Sequence, residues 1–186
     1  MTQTYLNLGQ SNPVNSTYTV TAIAASTPST TFTQYTTSVA HNFVVGESVT
    51  FAGSSIGGYN GTFTVVSLPS TITIVVLNST TGSPTLTAAT AVGVSQTIVY
   101  TVPALTSAVI SSIVVCNQGT TGTYSIAWQV GGATLTAAQY LIYNATLNTN
   151  DTITMAQGLS LATTDVISVW ASTTNFSFNI SGVQNT

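Results

Sequence analysis

The sequence predicts an all-β protein: an N-terminal arm, a small β domain and a C-terminal antiparallel β-sandwich of jelly-roll type. Three observations predict it. The chain is rich in the strand formers Thr, Val, Ile, Tyr and Phe. Its apolar positions alternate with period two, and glycine, proline and asparagine punctuate the alternating runs. Helical periodicity is nearly absent, and one turn at Thr136–Tyr140 is the single helical candidate.

In order along the chain, residues 1–16 read as the arm. Pro13 keeps it extended, so it either docks on a neighbouring subunit or frays. Residues 17–84 read as the small β domain. In Gly61–Ser67, Phe63 and Val65 share a face; in Thr71–Leu77, Ile72, Ile74 and Val76 do, with Leu68-Pro69-Ser70 as the hairpin turn between them. Ser, Thr, Gly, Pro and Ala then replace the alternation, which places a linker at 85–94. Residues 95–186 read as the sandwich. Ala108–Val115 is apolar enough for a central strand buried on both faces. Ile126, Trp128 and Val130 line one face of the next run, and Phe176, Phe178 and Ile180 line one face of the last. Both domains are small enough for a lone core to stabilise them only weakly, so oligomer contacts are expected.

Charge narrows the function. The 186 residues contain no lysine or arginine, and the only acids are Glu47, Asp151 and Asp165. Charged residues make up 2% of the chain, against about 25% in ordinary soluble proteins. Phosphate grips, nucleic-acid grooves and acidic-lipid binding all need cationic side chains, so neither nucleic acid nor membrane is an expected partner. No run of apolar residues is long enough for a transmembrane helix. The abundance of β-branched and aromatic residues argues against disorder. A net charge of −3 gives little repulsion between copies, so self-association through strand edges is expected, with little dependence on salt. Met1–Gln10 lacks the pattern of a secretory signal. Cys116, the single cysteine, is expected as a small buried core residue.

Catalytic and metal chemistry find little support. Gly53-Ser54-Ser55-Ile56-Gly57 matches the string of a nucleophile elbow, but its surroundings read as antiparallel strands and the sole histidine, His41, precedes the serine. His41 with Glu47 as orienter would make a base, while a half-buried histidine bonded to local backbone explains the same residues. One His and one Cys cannot complete a structural zinc site. Asn148, Asn150 and Asp151 offer oxygen ligands without the spacing of a calcium loop, so a turn is expected. No catalytic, cofactor-binding or metal residue is assigned. Trp128 and Trp170 are expected in the core. Tyr5 and Tyr59 are the candidate interaction surface, Tyr59 because its loop, Ser54–Gly61, should expose it, and a host-surface glycan is the candidate ligand.

Two segments carry a resemblance. His41-Asn42-Phe43-Val44-Val45-Gly46-Glu47-Ser48-Val49-Thr50-Phe51, followed by Gly58-Tyr59-Asn60-Gly61-Thr62-Phe63-Thr64-Val65, resembles a small β module of phage virion proteins. Tyr100-Thr101-Val102-Pro103-Ala104 and Ala108–Asn117 look like the opening of a compact β-sandwich in small structural proteins of tailed phages, particularly marine and cyanobacterial ones. The likeness continues through Tyr140-Leu141-Ile142-Tyr143, Thr164-Asp165-Val166-Ile167 and Phe178–Val183. Related modules carry some Lys or Arg in their loops, and this chain has none. The resemblance implies a non-enzymatic structural protein on the virion surface, assembled in the host cytoplasm with other virion proteins and copies of itself. A tail- or fibre-associated place leads, and capsid decoration is the alternative. A carbohydrate-binding adhesion module is the rival of another class, and a hydrolase on Ser55 and His41 the third.

Overall fold

The computed structural model describes residues 2–25 and 31–186, whose regular structure is almost wholly antiparallel strand. The helical pieces among them are single 3₁₀ turns, one of which, Ala137–Gln139, falls at the expected helical turn. A capping box forms there, with the Gln139 side chain accepting from the Thr136 N–H at 2.7 Å. The chain divides into two compact units. One is Val14–Ser95; the other combines Met1–Pro13 with Gln96–Thr186.

Val14–Ser95 is a closed six-stranded barrel. Its strands are β2 (Asn15–Ala25), β3 (Phe32–Thr37), β4 (Ser48–Ser54), β5 (Gly61–Ser70), β6 (Thr73–Leu77) and β7 (Leu86–Val94), in the order β2-β3-β6-β5-β4-β7. Two long strands close it by changing partner midway. The first half of β2 pairs with β7 and the second with β3; the first half of β5 pairs with β4 and the second with β6. Such a corner lets one strand belong to two layers. Val49, Phe51, Val65, Ile74 and Val76 fill the interior, and the rings of Tyr35 and Phe51 stack 3.7 Å apart.

This barrel corrects two expectations. Leu86–Val94 is a full strand, not a linker, paired with both β2 and β4. Its inward side carries Ala89, Ala91 and Gly93 because large rings occupy the other side of the barrel. A Cβ on Gly93 would lie 3.1 Å from the Phe43 ring. Small residues hide the strand's apolar alternation. The hairpin turn falls at Thr71 and Ile72, after Leu68-Pro69-Ser70, which ends β5; Ser70 pairs with Thr73 across it.

The second unit packs two four-stranded antiparallel sheets face to face. Its strands are β1 (Gln3–Ser11), β8 (Thr97–Thr101), β9 (Ser107–Asn117), β10 (Gly122–Gln129), β11 (Tyr140–Leu147), β12 (Thr152–Leu161), β13 (Val166–Ala171) and β14 (Phe176–Asn185). One sheet runs β1-β14-β9-β12 and the other β11-β10-β13-β8. Between them lie Ile110, Ile113, Val115, Ile126, Ile167, Phe176, Phe178 and Ile180. At about 25 cal/mol per Å² of apolar surface, this layer is the main favourable term of the unit.

Here too the structure departs from expectation. Gln3–Ser11, placed in an arm, is an edge strand paired with β14 from Gln3↔Asn185 to Ser11↔Phe178. Asn15 and Ser16 belong to β2. The sequence hides β1 because an edge strand needs little apolar surface: Leu8 alone packs on the core. Ala108–Val115 is central but buried on one face only, its burial alternating along β9. Cys116 is accordingly half-buried on the outward face of β9, away from the core that Val115 enters.

Candidate functional site

The residues singled out for chemistry serve as structural fastenings. In His41, Nε2 lies 3.3 Å from the Thr73 carbonyl and Nδ1 lies 3.4 Å from the Phe43 N–H. Burial pushes the imidazole pKa down, with the Thr73 contact working against it. A neutral ring with Nε2–H donating and Nδ1 accepting satisfies both contacts, which leaves neither nitrogen for a substrate. Glu47 is 1% exposed, and its Oε2 accepts from the Val44 N–H at 3.1 Å, tightening the turn before β4. Ser55 Oγ accepts from the Thr85 N–H at 2.9 Å. Its loop joins β4 to a 3₁₀ turn at Gly57–Tyr59 within an antiparallel barrel, and an elbow needs a strand-to-helix turn in a parallel sheet.

The Asn148–Asp151 segment is a turn. Asn150 sits at φ 55°, Asp151 N donates back to Asn148 O, and Asp151 Oδ1 accepts from the Thr152 N–H at 2.8 Å. Among the described residues no group of three or more His, Cys, Asp or Glu comes together. Asn117, which sequence reasoning passed over, is fully buried and holds this turn. Its Nδ2 faces the carbonyls of Thr120, Leu147 and Asn148, and its Oδ1 accepts from the Gly119 N–H. An asparagine ending a strand before Gln-Gly is the one sequence signal for it.

The two tyrosines part company. Tyr59 is 2% exposed, contrary to expectation. Its hydroxyl donates to Thr80 O or Gly82 O, at 3.0 and 2.9 Å, and its own carbonyl accepts from Tyr35 at 2.8 Å. Buried and hydrogen-bonded in this way, it cannot stack on a sugar. Burial pushes the Tyr35 phenol up to about 12, Asn78 opposing and Tyr59 adding to the rise. Tyr5 is 68% exposed and lies on the outward face of the β1 sheet, with its hydroxyl 2.9 Å from Ser111 Oγ. Of the tryptophans, Trp170 is buried; Trp128 is half-buried and donates its indole N–H to Asp165.

What the surface offers is an uncharged sheet with open edges. Glu47 and Asp165 are buried, which leaves Asp151 as the one carboxylate side chain in solvent. The outward face of β1-β14-β9-β12 carries rows such as Thr154, Val114, Asn179 and Gln10, with Gln10 Nε2 donating to Asn179 Oδ1 at 2.6 Å. Register shifts interrupt the pairing of all four edge strands, β1, β12, β11 and β8. Two straight lengths remain in this sheet, Gln3–Asn7 and Thr152–Ala156.

No protein-family model matches the chain, and no curated protein is significantly similar to it.

Proposed function

We propose that the chain is a non-enzymatic structural protein on the surface of a tailed-phage virion, associated with tail or fibre and working by contact with neighbours. The observation that carries this reading is the near-absence of exposed charge: among the described residues one carboxylate side chain, that of Asp151, and no cationic side chain meets solvent. A protein free in solution relies on such charges against association, and a component of an assembly does not. The strand order adds support. Counted 1 to 8 within the sandwich unit, the sheets run 1-8-3-6 and 5-4-7-2, the order of a jelly roll, a fold used by capsid and lectin domains. The sequence resemblance to virion modules points the same way, and fold alone would not.

Capsid decoration differs from the tail or fibre role only in position on the particle. The carbohydrate-binding alternative loses Tyr59 as its platform and keeps Tyr5. Cryo-electron microscopy of purified particles tests the proposal by locating the density. Mass spectrometry of the same particles is the cheaper check. A digest cutting at aromatic residues is required, because trypsin reads a cationic side chain and this chain has none. The reading expects chain peptides in stoichiometric amount; their absence from intact particles would overturn it.

A further inference from the structure

We propose that copies of this chain join head to tail by strand addition, the Thr152–Ala156 edge of β12 pairing antiparallel with the Gln3–Asn7 edge of β1 in the next copy. The backbone defines which groups are free. Asn117 N donates to Asp151 O at 2.9 Å, and Thr152 sits opposite Cys116. Alternation in an antiparallel ladder then assigns Ile153 and Met155 to β9 and turns the N–H and C=O of Thr154 and Ala156 outward. At the other edge Thr2 and Thr186 exchange both bonds, at 3.1 and 3.2 Å. Thr4 and Leu6 therefore bond β14, while Gln3, Tyr5 and Asn7 point their backbone groups away from the sheet.

Face and hydrogen-bond parity agree in one register. Thr154 lies on the outward face, opposite Val114. Tyr5 lies on the same face, opposite Val183, with its hydroxyl on Ser111. Directly opposed residues of antiparallel strands share a face. Placing Thr154 against Tyr5 of the next copy joins outward groups to outward groups and keeps the sheet faces continuous; a slip of one residue breaks both matches. It also sets Ile153 against Leu6 of the next copy, each 38% exposed in the single chain. The four strands of this sheet alternate in direction, so its two edges run oppositely and the next copy needs no inversion.

Charge identifies the occupant as a second copy. Edges are ordinarily guarded by lysine or inward-pointing charge, and this chain has no lysine with which to guard them. A charged partner strand would lose hydration without gaining a counter-charge, whereas another copy brings an equally uncharged edge. Head-to-tail contacts that close into a ring remove both edges at once. The inference takes from the proposed function only its setting, an assembly; the pairing stands on the geometry.

The test is the mass of the purified full chain by light scattering, with Thr154→Pro and Tyr5→Pro as variants. Each proline removes an N–H that its own sheet does not use, a position where edge strands tolerate it. The wild type is expected as a discrete oligomer and each variant alone as a monomer. An equimolar mixture of the two is expected to stop at a dimer, joined by the one intact pair of edges. Thr154→Lys, which leaves the backbone alone, is expected to give the same monomer and replaces the proline variant if that melts early. A monomeric wild type, or variants that keep its mass, overturns the proposal. So does loss of assembly in Thr154→Pro with none in Tyr5→Pro, which marks a symmetric contact between two β12 edges. Failure to find the chain in particles would leave these masses unchanged and strike only the virion reading.

Discussion

Asp165 is 2% exposed and takes hydrogen bonds from Trp128 Nε1 at 2.9 Å, Gly131 N at 2.8 Å and Ala162 N at 3.0 Å. Burial alone would raise its pKa, but the three donors together outweigh burial and hold it below the ordinary 3.8. The folded carboxyl thus titrates below the unfolded one, so its contribution is present above about 4 and is lost as pH falls through the lowered folded value. Asp165→Asn presents one acceptor oxygen, and turns an NH₂ group towards N–H donors. It is expected to lower stability by about 2–3 kcal/mol at neutral pH, measured by urea unfolding. The gap between wild type and variant should narrow below about pH 4, and a gap independent of pH would remove the ionised carboxylate from the account. The sequence displayed Asp165 as a rarity without indicating its role, since two of its three donors, Trp128 and Gly131, lie 37 and 34 residues away along the chain. Tyr59 was misread for a related reason. Its place in the loop Ser54–Gly61 suggested exposure, whereas its ring is buried and its hydroxyl bonds the distant Thr80 and Gly82 carbonyls.

At the scale of elements, β7 shows how packing decides what a strand looks like. Ala91 is fully buried between β2 and β4, opposite Tyr18 in one and Phe51 in the other. The barrel interior has been filled from the other strands, so Ala91→Leu forces extra methylenes into a packed space. It is expected to destabilise by about 1–3 kcal/mol, read as a lowered urea midpoint with an unchanged slope; a neutral or stabilising result would mean that the barrel holds room beside β7. Strands whose inward residues are large were legible: Phe63 with Val65, Ile74 with Val76, and Phe176 with Phe178 and Ile180 all lie where period two places them, Phe63 at the margin of its core, whereas Ile72, read on the face of Ile74, lies in the turn before β6 and is exposed. Strands with small inward residues, or with little inward surface, were not, which is why β7 read as a linker and β1 as an arm. The open edges were foreseeable in kind from the missing lysines, but their location needed the strand order, which no local pattern encodes.

For the whole molecule, the order of units along the chain carries the consequence. The sandwich takes β1 from the start of the sequence and the rest from Gln96 onward, with the barrel inserted between them. The barrel begins and ends on neighbouring strands, since Asn15 pairs with Val94, and opposed residues in such a ladder lie about 5 Å apart. An insertion whose two ends lie that close can be removed without stretching its host. The residues of the sandwich core also come wholly from the sandwich unit, from Leu8 to Ile180, and none from the barrel. Replacing residues 14–95 by a short Gly/Ser linker is therefore expected to leave a sandwich that folds cooperatively, with a single urea transition and a β-type circular dichroism spectrum. If strand addition at the β1 and β12 edges builds the assembly, this shortened chain should keep the oligomeric state of the full one, because both edges lie outside the excised segment. A shortened chain that stays unfolded would show that the barrel supplies stability the sandwich lacks. One that folds but remains monomeric would move the assembly contact onto the barrel.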